Sequence, residues 1–396
     1  MVYIIPFRGP RFVYKDYLYF LRHVEQAIDR GENEMEANFY SVEFCMPDGM
    51  APFVATVSHL VKSGYHVDIV KPRKEELVDY WKLAGWLDGI VGTGHVPSQG
   101  STYVPLTPYT EADEIHSFLN RALDIVARTQ AFSEGVLTAF EWSFYEMSDN
   151  VLLHSGLSEP AWLQMTSLPE KQQVEFVVVD NGRGIRASLS EYFPDLNSDL
   201  EAVELAVKRG TTRNRDIGQG NGLSGTLRIA SAASGWMNLH SGRGQLRWLE
   251  DNRYASTAHN HPGTLVTVTL PTHKPIDLSR ALWGYVPTTS FESRYVTGSG
   301  ILFVIKEEAS NFGNRSTGER LRLKLSNLAQ LHPDEAVIID FEGVEVLSAS
   351  FADEFVAKLV KELGVMRFFG RFRFKGLSQF AATTVDNVIA QRLSVE

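Results

Sequence analysis

The two ends of the chain carry the same order of elements, and this repetition narrows the available folds more than any other feature. In the N-terminal part, apolar Tyr17, Leu18, Leu21, Val24 and Ile28 give a helical period over Lys15–Arg30. Asn38–Phe44 reads as a strand and Ala51–Lys62 as a helix stopped by Ser63-Gly64. Tyr65–Val70 reads as a strand and Glu75–Leu87 as a further helix. The C-terminal part runs strand Ile301–Ile305, helix Thr317–Leu331, strand Ala336–Phe341 and helix Phe351–Leu363 with Gly364 as its stop. Strand Met366–Phe374 and helix Leu377–Leu393 complete it. Glu43-Phe44 is followed by Phe53 and a helix ending at Gly64; Asp340-Phe341 is followed by Phe351 and a helix ending at Gly364. Alternation of this kind predicts α/β layers, here a diverged duplication flanking a different centre.

Breaks in composition set the expected domains. Gly92–Pro108 is dense in Gly, Pro, Ser and Thr, and a second boundary falls over Pro271–Pro287. The expected parts are 1–95, 110–272 and 290–396. A chain of 396 residues with 44% hydrophobic and 22% charged residues can bury a core in each. The single cysteine, Cys45, excludes an intramolecular disulfide and a cysteine-cluster zinc site, and it fits a reducing, cytoplasmic setting. A net charge of −10 argues against non-specific nucleic-acid binding. No apolar run approaches the roughly 18 residues of a membrane helix, and the N-terminus lacks the pattern of a signal peptide.

The chemistry concentrates in the centre. Ser133–Ser155 reads as one helix in which Glu146, Asn150 and His154, at i, i+4 and i+8, share a face opposite Leu137, Phe140, Phe144, Met147 and Val151. Taken alone, that stripe is equally a solvated face. Val174–Val179 reads as a strand that runs into Asp180-Asn181-Gly182-Arg183-Gly184. Glycines after a carboxylate let backbone approach a planar ligand, and Asp180 can accept a hydrogen bond from an exocyclic amine; in isolation the motif is also a common turn. Gly218, Gly220 and Gly222 then precede the helix-like Ser224–Ala233, a cradle of N–H groups suited to an anion. Gly263-Thr264 opens the strand Leu265–Leu270.

In this order the four pieces resemble the GHKL ATP-binding family of gyrase, chaperone, histidine-kinase and MutL ATPase domains, over about 111–271. The resemblance implies an α+β two-layer sandwich in the centre, within an α/β protein, and ATP with Mg2+ as cofactors. It implies that Asp180 binds the adenine amino group with Thr264 nearby, and that Gly182 and Gly184 form the first glycine box. Gly218, Gly220 and Gly222 form the second. It makes Asn150 a magnesium ligand and Glu146 the catalytic residue that orients or deprotonates the nucleophile. Residues 186–217 become a lid, with Arg213, Arg215 and His154 as candidate phosphate contacts.

The C-terminal part, through Asp340-Phe341 and Leu347-Ser348-Ala349-Ser350-Phe351, resembles STAS-like domains found beside such ATPases. That resemblance implies a phosphoacceptor at Ser350, though the usual Asp-Ser-Ser-Gly wording is absent and a helix cap is the plainer role for Ser348 or Ser350. As the other copy of the duplication, the N-terminal part (1–95) is expected to be a second small STAS-like α/β domain; it carries Ala51-Pro52-Phe53 at that place, with no hydroxyl, and reads as scaffold or docking face. Together the resemblances imply an ATP-dependent regulator: a protein serine kinase or partner switch of the anti-sigma-factor kind, with a protein partner or STAS-type substrate. An ATP-gated conformational module with slow hydrolysis is the alternative, and a DNA-handling clamp is weaker. A homodimer stays open. His116 reads as a surface helix residue, His259 and His261 as loop histidines too few for a metal site, and Met366–Lys375 as a core strand with a basic outer face.

Overall fold

The computed structural model describes residues 2–156, 158–211, 221–249, 252–298 and 300–394, apart from the side chain of Ser290. The chain divides into two compact units. The first takes in residues up to Ala122, Ala139–Pro271 and Pro275–Pro287; the second takes in Leu123–Thr138, Thr272–Lys274 and the chain from Thr288 on.

The first unit begins with a parallel sheet of β1 (Tyr3–Pro6), β2 (Glu34–Asn38) and β3 (His66–Val70), in the order β1-β2-β3. The crossovers are α1 (Tyr14–Asp29) and α2 (Pro47–Lys62); α3 (Glu75–Leu83) and α4 (Trp86–Val91) follow. Phe7, Phe12, Phe20, Phe39 and Phe53 form its aromatic core. The strand expected over 38–44 lies earlier, at 34–38. Asn38 ends it by folding its side-chain oxygen onto the N–H of Tyr40, 3.1 Å away.

A second sheet is antiparallel throughout. Its strands are β4 (Tyr103–Tyr109), β5 (Ala161–Leu168), β6 (Gln173–Asp180), β7 (Trp236–Leu249) and β8 (Asn252–Pro271), in the order β4-β5-β6-β8-β7. The helices accompanying it are α5 (Ala112–Thr129), α6 (Val136–His154), α7 (Gly184–Ser190), α8 (Asp199–Ala206), α9 (Gly222–Ala232) and the single turn α10 (Leu278–Ala281). Phe140 and Phe144 of α6 pack on Phe176 of β6, with ring centroids 5.8 and 5.3 Å apart. Because side chains alternate along a strand, Val177 and Val179 point the other way. There they join the aromatic core of the first 90 residues, together with Trp162 and Leu265.

This second sheet is therefore covered on both faces, which goes beyond the two-layer expectation. Helix α2 explains how. Its sequence, PDGMAPFVATVSHLVK, has almost no polar face, and a helix apolar all round must be buried all round. One side meets its own sheet; the other meets β5, β6 and β8. Polar pins fix the contact. Asn181 donates to the Ala55 carbonyl at 2.9 Å, and Trp86 donates to Gln164 at 3.0 Å. The Tyr14 hydroxyl meets His240 Nδ1 at 2.9 Å, and Tyr17 meets both Thr56 and His261 at 2.9 and 2.6 Å. Glu25 binds His259 and Arg243. His259 and His261 thus belong to strand β8 rather than a loop, which corrects the sequence reading. Burial, with His240 adding to it, drives the His261 pKa well below its ordinary value, so this ring is neutral and structural.

The second unit holds a parallel sheet of β9 (Gly300–Val304), β10 (Val337–Asp340) and β11 (Phe372–Lys375), edged by the short antiparallel strand Val296–Thr297. Its helices are α11 (Arg315–Leu331), α12 (Ala349–Ala352 and Lys358–Leu363, joined by a π turn at Asp353–Ala357), α13 (Val365–Arg371) and α14 (Gln379–Ser394). The strand expected over Met366–Phe374 is shorter, because Gly364 at φ +82° ends α12 and the chain re-enters a helix before β11. Buried Lys324 and Asn327 of α11 hold the segment around 124–132: Lys324 pairs with Asp124, and Asn327 donates to the Ala127 and Gln130 carbonyls.

The duplication is visible in backbone detail, with an offset of 302 residues. Asp340 caps the N–H of Glu342 at 2.9 Å as Asn38 caps that of Tyr40. Val344 N–H donates to the Phe341 carbonyl at 2.9 Å, as Val42 does to Phe39 at 2.8 Å. The rings of Phe39 and Phe53 lie 5.1 Å apart, and those of Phe341 and Phe355 lie 6.4 Å apart. The anchor matching Asp340-Phe341 is therefore Asn38-Phe39, not Glu43-Phe44, and the residue at Ser350's place is Asp48.

Candidate functional site

A cavity of about 550 Å³ opens on the α6 side of the antiparallel sheet. Helix α6 supplies Glu146 and Asn150 one turn apart, and the ends of β6 and β8 supply Asp180 and Thr264. The first turns of α7 and α9 supply Gly184 and Gly222. Asp180 and Thr264 are register partners across the β6–β8 pair, which fixes their side-by-side position.

Two glycines mark close approaches. A Cβ on Gly222 would lie 2.6 Å from Glu146 Oε2 and 3.1 Å from Asn150 Nδ2, so a larger residue there would displace these two side chains. Gly263 has φ +85°, and a Cβ there would lie 2.2 Å from the Asp180 carbonyl oxygen and 2.6 Å from its carboxylate. Gly182 stands behind the pocket wall and donates its N–H to Asp180 Oδ1 at 2.7 Å. Ser241 is a support the sequence did not reveal. Its hydroxyl donates to the Gly263 carbonyl at 2.8 Å, meets Thr264 Oγ1 at 3.2 Å, and accepts from the N–H of Ile185 at 2.9 Å.

The carboxyl groups here hold their protons unusually well. Burial raises Asp180, 2% exposed, to about 7, against the N–H groups of Gly182 and Thr264 that favour its charged form. Burial, then the nearby Asp149, raises Glu146 to about 7. Burial also raises Asp149, which His116 partly offsets. A carboxyl near 7 exchanges protons at neutral pH and can serve as acid or base.

Of the residues singled out in the sequence, Glu146, Asn150, His154, Asp180, Gly184, Gly222 and Thr264 line this one cavity; Met147 and Val151, expected on the opposite face of α6, line it too, because they stand only about 100° around the helix from Glu146 and Asn150. Gly218, Gly220, Arg213 and Arg215 lie outside the described residues. Ser350 belongs to the second unit. There Ser348 is the N-cap of α12: its Oγ accepts from the N–H of Phe351 at 3.0 Å, and the two serine hydroxyls lie 3.0 Å apart. Ser350 is half-buried in the first turn. His116 is an exposed helix residue, as expected.

Sequence reasoning missed Trp142, Asp149, Arg209, Leu282, Trp283 and Tyr285, all of which line the cavity. The last three come from the segment read as a linker. Two large aromatics in so short a stretch were the available signal, since linkers seldom carry them.

Residues 317–379 match the family model described as a STAS-like domain of unknown function (DUF4325). The match covers α11, β10, α12, α13 and β11, so the C-terminal α/β region is STAS-like, in agreement with the reading of Asp340–Phe351. Searches of curated proteins and of solved structures return no match. Among the described residues, no helix is long and apolar enough to cross a membrane.

Proposed function

We propose that the cavity binds Mg-ATP and that the chain is a GHKL-type regulator, acting as a protein serine kinase or partner-switching ATPase. The observation carrying this reading is the convergence of Glu146, Asn150, Gly222, Asp180 and Thr264, from four separate motifs, on one cavity of nucleotide size.

Each group has a task in that reading. Asp180, as carboxylate, accepts a hydrogen bond from the adenine amino group; Thr264 and the N–H of Gly182 hold its position. The start of α9, which approaches α6 at Gly222, would offer backbone N–H groups to phosphate oxygens. Among the described residues the cavity carries Glu146, Asp149 and Asp180 against one arginine, Arg209, a lining that suits a polyphosphate accompanied by a cation. The Asn150 side-chain oxygen fits magnesium, which takes few protein ligands. When bound, the metal supplies charge neutralisation for the phosphates. Glu146 takes a proton from the attacking hydroxyl or water, and its raised pKa matches that duty.

The alternative, an ATP-gated conformational module, draws on a different observation. Asn181, next to Asp180, is tied to the Ala55 carbonyl of α2, so ligand contact at Asp180 bears on the N-terminal α/β region.

Calorimetry with Mg-ATP tests the binding. Asp180→Ala should weaken affinity about tenfold or more, and an unchanged affinity in the folded variant refutes the assignment. Glu146→Gln should keep ATP and lose turnover by roughly 10²–10⁴-fold. Intact-protein mass spectrometry after incubation with Mg-ATP separates kinase from switch. An added phosphate that maps to Ser350 and disappears in Glu146→Gln supports the kinase; free phosphate without labelled protein supports the switch.

A further inference from the structure

Within the first unit, the segment 278–285 folds back over the cavity rather than leading straight away from the sheet. Arg228 of α9 fastens it, donating through Nε to the Ala281 carbonyl at 2.7 Å and through Nη2 to the Arg280 carbonyl at 2.8 Å. The next two residues turn sharply: Trp283 has φ +53° and Gly284 has φ +94°. A left-handed backbone is disfavoured for a residue with a Cβ, so a tryptophan held there points to a task for the indole. The indole lies against two guanidinium groups, Arg209 with its Cζ 4.7 Å from the ring centroid and Arg228 at 4.9 Å.

The two arginines are not equivalent. Two carbonyl oxygens at the end of α10 compensate the charge of Arg228. Among the described residues Arg209 has no carboxylate partner, and its guanidinium lies against the Trp283 ring. An aromatic face orients a guanidinium without using its five N–H donors, which stay available for an oxyanion. Arg209 lines the cavity, and it stands there against Glu146, Asp149 and Asp180.

We propose that Arg209 is a phosphate-contacting cation of this cavity, and that Trp283 is the positioning residue that holds its guanidinium in place. The inference rests on the nucleotide reading above and adds a specificity to it. Arg209 and Trp283 select a ligand with a polyphosphate tail over its bare nucleoside, whereas Asp180 and Thr264 grip the part common to both.

The test is calorimetry on the full chain with two probes, Mg-ATP and adenosine. Arg209→Ala should weaken Mg-ATP roughly ten- to a hundredfold and leave adenosine unchanged. Arg209→Lys should recover part of the loss, because charge returns without the planar fork. Trp283→Ala should lower the preference for Mg-ATP over adenosine about three- to tenfold, and Trp283→Phe should keep most of it, since a ring remains. Arg209 is exposed, so its variants should fold, and circular dichroism checks this. Wild-type affinity for Mg-ATP in Arg209→Ala overturns the inference and leaves the nucleotide reading standing. Equal losses for both probes also overturn it, because they make Arg209 a structural prop. A wild-type chain that binds neither probe overturns the nucleotide reading and the inference together.

Discussion

The two α/β regions share a backbone plan yet present opposite chemistry on the same helix. With the 302-residue offset, Ala51, Pro52, Thr56 and Leu60 of α2 correspond to Asp353, Glu354, Lys358 and Glu362 of α12. The N-terminal set is buried, and α2 is inserted between two sheets. The C-terminal set is an ion-pair network. Lys358, Arg315 and Arg322 surround Glu354; Arg392 and Arg315 hold Asp353; Arg322 also reaches Glu362. Burial pulls the Glu354 pKa upward, but the hydrogen bond and charge of Lys358 and the two arginines hold it below its ordinary value. Such a face cannot be laid on an apolar sheet without stripping water from charges. Four residue choices therefore decide whether this plan becomes an internal layer or keeps a charged face of its own.

Exchanging one of those residues should give the largest effect. Thr56→Lys imports the ammonium of Lys358 into a site 1% exposed, and should cost about 3 kcal/mol or more, read as a lowered urea midpoint. The reverse change, Lys358→Thr, leaves Glu354 its two arginines and should cost about 1 kcal/mol or less. Equal costs would erase the distinction between the two faces.

Acidity sharpens the contrast next. Asp48 stands where the C-terminal copy has Ser350, and it lies near Glu175 on the covered face of β6. Burial, then the charge of Asp48, raises Glu175 to about 8; burial raises Asp48 to about 6. In the unfolded chain both groups release their protons near pH 4. Between there and their folded values, the folded state binds more protons, so stability falls as pH rises and levels off above 8. Glu175→Gln should flatten that fall, most visibly between pH 7 and 8, above the range of Glu146 and Asp180. Denaturation midpoints at pH 5, 7 and 8.5 check the sign; an unaltered slope would mean Glu175 is ionised in the fold.

Tyr17→Phe should cost roughly 1–3 kcal/mol, because His261 and Thr56 lose their shared hydroxyl inside the interface. The smallest change concerns the caps. Ser348→Ala should cost about 1 kcal/mol. Its counterpart Met46 makes no side-chain cap, so Met46→Ala should move the thermal midpoint little. Comparable shifts in both would show that the cap at Ser348 contributes nothing.

The legible parts of the molecule were those where a local rule has one solution. Gly182 and Gly184, alternating after Asp180, sit where a Cβ would crowd Ser155 or Ser241, so spacing alone exposed them. The i, i+4 stripe on α6 was equally readable. The documented failures are non-local. The sequence of α2 says that every side is buried, but not that β5, β6 and β8 do the burying. His-Asn-His-Pro-Gly at 259–263 has the composition of a turn, yet it is strand β8 passing two register shifts, which its partner strand and Tyr17 impose. The alternating Arg and Phe from 367 to 374 fit a strand period, but a helical turn after Gly364 satisfies the same burial, and Phe368 and Phe372 stack at 4.9 Å. Trp283 and Tyr285 signal by their size that something covers them, but nothing local shows that their segment folds back onto this cavity.

The pin between Tyr17 and His261 joins residues 244 apart in the chain. At the roughly 5–20 residues per second of synthesis, about 12–50 s separate the appearance of the two. For much of that interval the second apolar side of α2 (Pro47–Lys62) is uncovered or only partly covered, because β6 ends at Asp180 and β8 at Pro271. The N-terminal α/β region must therefore wait, partly folded and adhesive, for the centre of the chain to arrive, and the time it spends in that state sets how dilute or how chaperoned the nascent chain must be.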